Sequence, residues 1–245
     1  MAIKPILFNT EMVRANLDGR KTCTRRLVNP RQFMGMLPDR CKNATPDEFL
    51  KNKRMMFKPY CDMTDAELIM TAYKEPYQPG DILYVRETVW QKIGYYLDVD
   101  GETKPSWYNE FRYVASDEKP ETGWNYSWVK RPSIHMPKEA ARIWLKVTDV
   151  KVERLQEIDE DGVWDEGFRF KPPCLTRVSA DGHTCDLDGP CTSSIKYCDM
   201  TMGELFGRKL WNNTIKKSDL DRYGWGANPW VWVIEFERCE KPEGV

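Results

Sequence analysis

The chain has 245 residues, with 41% hydrophobic side chains and 37 Lys and Arg against 38 Asp and Glu, enough for one large domain or one core domain with sizeable insertions. A mean hydropathy of -0.66, with no apolar run near the roughly 18 residues a spanning helix needs, excludes a membrane-embedded chain. The first ten residues, MAIKPILFNT, hold too short an apolar stretch for a secretory signal, so a cytoplasmic protein without a membrane partner is expected. The net charge of -1 conceals an asymmetry: residues 1–60 carry 13 Lys/Arg against 5 Asp/Glu, and residues 61–245 carry 24 against 33. A local basic face suits an anionic partner bound at one site; mutual attraction of the two parts is the plainer alternative.

In chain order, FNTEMVRANLDG predicts a short helix: Asn9 or Thr10 caps it, Val13 and Leu17 share a face, and Gly19 supplies a left-handed stop. TCTRRLV then predicts a strand. Residues 30–79 read as an insertion with short helices after the capping residues Thr45 and Thr64. QPGDILYVRETVW predicts a turn and a strand over 82–90. KIGYYLDVDGETKPSWYNEFRYVAS predicts a hairpin with VDGE at its tip. RPSIHMPKEAARIWLKVTDVKVERL opens irregularly and becomes a long strand, Ile143, Leu145 and Val147 alternating with Trp144, Lys146 and Thr148. DEDGVWDEGF predicts a short acidic helix with Val163 and Trp164 inward. TMGELFGRKLW predicts a helix with the capping box Thr201 and Glu204 and a core face of Leu205, Phe206, Leu210 and Trp211. NPWVWVIEFER closes with a period of two, Trp230, Trp232, Ile234 and Phe236 one way and Glu235 and Glu237 the other. Uneven strands with few short helices predict an α+β fold around a small mixed β-barrel.

Four segments, LDGRKTCTRR, PGDILYVRE, LKVTDVKVERLQEIDEDGVWDEGF and NPWVWVIEFER, together resemble the ASCH domain of the PUA-like superfamily, most of all the enlarged ASCH proteins of bacteriophages and prophages. The four segments hold 54 residues, and the resemblance implies a single domain, residues 1–245, with short flanking helices and insertions at about 30–79, 91–131 and 169–200. It also implies a cleft used on RNA or free nucleosides. Some relatives are similar to amidohydrolases that deacetylate acetylcytidine with a Lys, a Thr and a Glu; carried over position by position, these are Lys21, Thr24 and Glu166, with Asp161 and Asp165 as rivals for the place of the Glu. Other relatives resemble RNA binders or metal-dependent ribonucleases, so the alternative readings are a nucleic-acid-binding module without catalysis and, less supported, a nuclease.

The chemistry is coherent. Threonine is a poor nucleophile unless a base takes its proton, and a lysine serves where burial or nearby cations favour its neutral form. Arg20, Arg25 and Arg26 are such cations, and Arg26 could also stabilise an oxyanion. In a regular strand Lys21 and Thr24 would point to opposite faces, so a bend between them is required. The bland alternative is a solvated, threonine-rich strand. In a second cluster, Lys130 and Arg131 could hold a phosphate while Trp124, Trp128 and His135 stack on a base; core packing is the alternative for the tryptophans. In a third, Cys174, Cys185, Cys191 and Cys198 gather around His183. Their spacing is no paired C-x-x-C knuckle, leaving structural zinc or free thiols open. The proposed hydrolysis itself requires no cofactor.

Overall fold

The computed structural model describes residues 1–34, 44–51, 62–169 and 200–244, and these form a mixed α+β fold with two sheets and short helices. The larger sheet has five strands in the order β1-β3-β7-β8-β2: β1 Ile3–Leu7, β2 Cys23–Leu27, β3 Ile82–Arg86, β7 Trp144–Arg154 and β8 Trp230–Cys239. The smaller has the order β5-β4-β6, with β4 Val89–Leu97, β5 Thr103–Tyr113 and β6 Tyr126–Arg131. The residues fall into two compact units, one of 1–22, 77–149 and 235–245 and the other of 23–76 and 150–234.

In the first unit β1 runs parallel to β3, from Ile3 opposite Ile82 to Leu7 opposite Arg86. A parallel pair needs a crossover between its strands, and helix α1, Thr10–Leu17, lies in that connection. It begins where Asn9 accepts the Met12 amide at 2.9 Å and stops before Gly19 at φ 72°, as capping chemistry predicts. β3 pairs antiparallel with β7, Leu83 opposite Leu145. The expected strand over 82–90 is broken at Glu87 and Thr88. There the buried Glu87 carboxylate holds Arg142 through two hydrogen bonds of 2.8 and 3.0 Å, and the Arg142 guanidinium lies 4.0 Å over the Tyr113 ring. The predicted hairpin is β4 and β5, Leu97 opposite Thr103. Its tip turns on Gly101, φ 78°, with Asp98 accepting the amides of Asp100 and Glu102 at 3.0 and 2.8 Å.

In the second unit, helices α2, Pro46–Leu50, and α3, Asp65–Ala72, start at the capping boxes of Thr45 and Thr64. Phe33, Phe49 and Tyr73 meet edge to face at centroid distances of 5.5 to 5.8 Å. α4, Glu160–Asp165, is capped by Asp159, and α5, Met202–Phe206, by Thr201. Leu155, Ile158, Val163, Phe168, Leu205, Phe206, Trp211 and Val231 form a buried cluster. Residues Gly207–Trp211 wind as a π-turn, and the Trp225 ring occupies the space beside Gly207, where a Cβ would lie 2.1 Å from Trp225 Cδ2.

Three expected patterns are corrected. Trp164 is half-buried, its ring covered by Arg169 at 4.0 Å, and Val163 alone of that pair is enclosed. β8 is buried on both faces from Trp230 to Ile234, Val231 and Val233 included, because a strand paired on both sides and covered on both faces has no solvent side to alternate toward. In β7 the alternation changes phase: Leu145 and Val147 are buried, then Val150 and Val152, with Thr148 and Asp149 both exposed. Among the described residues no helix is long and apolar enough to cross a membrane.

Asp81 ties β1 to the turn before β3. Its Oδ1 accepts the Ala2 amide at 2.9 Å, and its Oδ2 accepts the Gln78 amide at 3.1 Å and the Lys4 ammonium at 2.6 Å. Burial opposes the charge, but Lys4 and the two amides outweigh it and hold the carboxyl below its ordinary range. This stability is therefore complete above the unfolded carboxylate value of about 3.9 and is lost as pH falls through the depressed folded value. Asp81→Asn is expected to cost about 2 kcal/mol at neutral pH, with the gap to wild type narrowing in acid; urea titrations at several pH values check both.

Candidate functional site

The conformation of the LDGRKTCTRR run follows from how α1 ends. The amides of Arg20 and Lys21 both donate to the Ala15 carbonyl, at 2.8 and 3.1 Å, and the buried Asn16 side chain donates to the Lys21 carbonyl at 3.3 Å. Residues 19–22 are thus gathered against the helix end, and regular strand geometry starts at Cys23. The run is therefore irregular before the strand, as the sequence expectation of a bend requires of its first part. Lys21 and Thr24 are both enclosed, at 2% and 0% exposure.

Within the first unit, the Lys21 ammonium stands over the Phe8 ring, 5.4 Å from its centroid. Phe8 itself is buried and packs on Phe236 at 6.0 Å. Arg20 is paired with Asp18 at 2.7 Å near the surface. Arg131, on β6, stacks over Trp107 at 4.7 Å. His135 is exposed in the turn Ser133–His135 that follows.

Within the second unit, Cys23, Thr24 and Arg25 are buried in succession at the start of β2, and Glu166, 4% exposed, caps the C-terminus of α4. Glu166 Oε1 accepts the Arg25 backbone amide at 2.5 Å and lies 3.7 Å from Arg25 Nη1. Arg25 Nε donates to Glu153 at 2.8 Å, and Nη1 to the Gly162 carbonyl at 3.3 Å. Gly162 makes room for that fork: a Cβ there would lie 2.8 Å from Arg25 Nη2. Burial disfavours the Arg25 charge, yet Glu166 and Glu153 prevail and hold its pKa above the ordinary arginine value. Arg25 is therefore a permanent cation in an enclosed site.

The Thr24 hydroxyl differs from these groups. It is fully buried, and among the described residues it has no hydrogen-bond partner. Of the five acids in DEDGVWDEGF, Glu166 alone is buried, and Asp161 and Asp165 are exposed. Arg26 is half-buried in β2.

The structure thus brings Thr24, Arg25 and Glu166 together in one unit, at β2 and the end of α4. Arg20, Lys21, Arg131 and His135 belong to the other unit. Cys174, Cys185, Cys191 and Cys198, proposed from sequence as zinc ligands, lie outside the described residues, and among the described residues no three His, Cys, Asp or Glu side chains gather to hold a metal. Two participants were not anticipated. Asn16 shares the buried face of α1 with Val13, and a polar side chain on an apolar helical stripe is a signal that could have been read. Glu153, in the half-buried end of β7, carries no comparable mark. No family model, curated protein or solved structure matches the chain.

Removing one partner from a buried charge cluster leaves the other uncompensated. Glu166→Ala is expected to cost about 3 kcal/mol, since it orphans the buried Arg25 amide and removes one of the two carboxylates facing its guanidinium. Glu153→Ala, with a side chain 17% exposed against 2% for Glu166, should cost less. Denaturant unfolding of the two variants tests this order.

Proposed function

We propose that this chain is an ASCH-type protein of the PUA-like superfamily and a hydrolase of modified nucleosides, an amidohydrolase of the acetylcytidine class, with Lys21, Thr24 and Glu166 as its catalytic residues. The reading assigns it to the cytoplasm, where its eight cysteines would remain reduced. The supporting observation is the Thr24 hydroxyl, enclosed and without a partner. Leaving such a group unsatisfied costs about 1–3 kcal/mol, which a valine of the same shape would avoid. The cost is intelligible if the hydroxyl is kept for chemistry.

In this mechanism Thr24 Oγ attacks the acyl carbon of the N-acyl group. Its proton passes to Lys21 and on to the exocyclic nitrogen as the carbon–nitrogen bond breaks, leaving an acyl-threonine ester and the free nucleoside. Water then attacks the ester with Lys21 as base, releasing the carboxylic acid and restoring the hydroxyl. Glu166 fixes the start of β2 through the Arg25 amide and so sets the direction of the Thr24 side chain. Because Thr24 is wholly enclosed, each turnover includes an opening of neighbouring side chains to admit substrate.

The decisive variant is Thr24→Val. Its stability should stay within about 1 kcal/mol of wild type or rise, while kcat/KM for release of acetate from acetylcytidine should fall at least about a hundredfold. Lys21→Met should lose activity to a similar degree. If folded wild-type protein turns over none of a panel of N-acylated and N-alkylated nucleosides, or if Thr24→Val is as active as wild type, the hydrolase reading fails.

A further inference from the structure

The three-stranded sheet has two unlike faces. Residues directly opposite one another in antiparallel strands share a face, which sorts its side chains without ambiguity. One face holds Val89 and Ile93, both buried, and includes the Arg131 and Trp107 stack. The other opens with a row in which Trp90 stands between Arg112 and Lys130, followed by Lys92 opposite Trp128 and by Gly94 opposite Tyr126. Here β5 bulges between Trp107 and Phe111, bringing Tyr108 and Glu110 over Lys92. The Lys92 ammonium lies 4.6 Å from the Tyr126 centroid, 5.6 Å from that of Tyr108 and 2.8 Å from Glu110.

On this second face the tyrosine ring is laid down on the sheet rather than standing off it. A Cβ at Gly94 would meet Tyr108 Cε2 at 2.5 Å, so the glycine is what lets the ring approach the backbone. Tyr108 remains 48% exposed, Trp90, Tyr126 and Trp128 are half-buried, and Arg112 and Lys130 are exposed. A run of aromatic faces spaced along a sheet, with cations between them, is unsuited to a core and suited to a ligand that alternates flat rings with negative charge. The charges also have a direction. Arg112 and Lys130 form one end, whereas the far hairpin tip carries Asp98, Asp100 and Glu102, with Lys104 already paired to Asp98.

We propose that this face of the β5-β4-β6 sheet binds single-stranded nucleic acid, its bases stacking on Tyr108, Tyr126 and Trp128 and its phosphates held at the Arg112 and Lys130 end. The site rests on the sheet's own residues and does not depend on the hydrolase reading. It differs from the cluster suggested by sequence alone: Arg131 points to the opposite face, and Trp124, at 96% exposure, lies outside the strands.

The probe is a fluorescently labelled oligothymidylate of about 12 nucleotides, with anisotropy read over a range of salt concentrations and the corresponding duplex as comparison. Wild type should bind the single strand at least about tenfold more tightly than the duplex. Tyr108→Ala should weaken binding about five- to 150-fold, the loss of one stacked base. The double charge reversal Arg112→Glu with Lys130→Glu should weaken it further and lower the salt slope by about 2. All three residues are exposed, so far-UV circular dichroism should match wild type. Thr24→Val should bind as wild type does, separating this test from that of the hydrolase. Equal affinity for duplex and single strand, unchanged binding by Tyr108→Ala, or sedimentation showing that the face is occupied by a second copy of the chain would overturn the proposal.

Discussion

The second unit is organised around one buried cation. A guanidinium cannot be taken out of water without compensation, and Arg25 obtains it from three separate places in the chain: the Glu153 carboxylate of β7, the Gly162 carbonyl inside α4, and Glu166 at the end of that helix. None of these can move far without stranding a charge. The requirement fixes where α4 ends relative to β2, and with it the Glu166 oxygen that accepts the Arg25 amide. The orientation of the adjacent Thr24 side chain is a consequence of that constraint. A catalytic reading and a purely structural reading of Glu166 share this geometry; what separates them is the Thr24 hydroxyl, which the cluster encloses without satisfying.

Local chemistry was legible in the sequence wherever a few neighbouring residues decide the outcome. The caps at Asn9, Thr45, Thr64 and Thr201, the left-handed stop at Gly19, and the VDGE hairpin tip depend on side chains reaching one to four residues along the backbone. Lys21, Thr24 and Glu166 stood out through their resemblance to a motif, and all three are enclosed. What escaped was set by distant partners. Arg25 meets Glu153 across 128 positions, and neither residue carries a local mark of the other. The period of two expected in β8 failed for the same reason: alternation reports a half-exposed strand, and burial on both faces is a property of what packs above and below it. The phase change in β7 at Thr148 and Asp149 is likewise invisible to a pattern that assumes an unbroken pleat.

The two polar clusters make different uses of their side chains. Around Thr24 and Arg25 water is excluded, and every charge is matched at close range, which suits a reaction that must control single protons. On the sheet the cations lie over aromatic rings close to solvent, where any charge interaction is screened by salt.

The π-turn at Gly207–Trp211 records a different kind of constraint. In a regular α-helix the residue five places on is rotated well off the face of the first, yet Phe206 and Trp211 are both buried in one cluster. The wider turn restores their alignment at the expense of one extra residue between them. Shortening this segment by one residue would therefore be absorbed as an ordinary helical turn, whereas the same deletion in α1 would rotate its capped end away from the strand that follows.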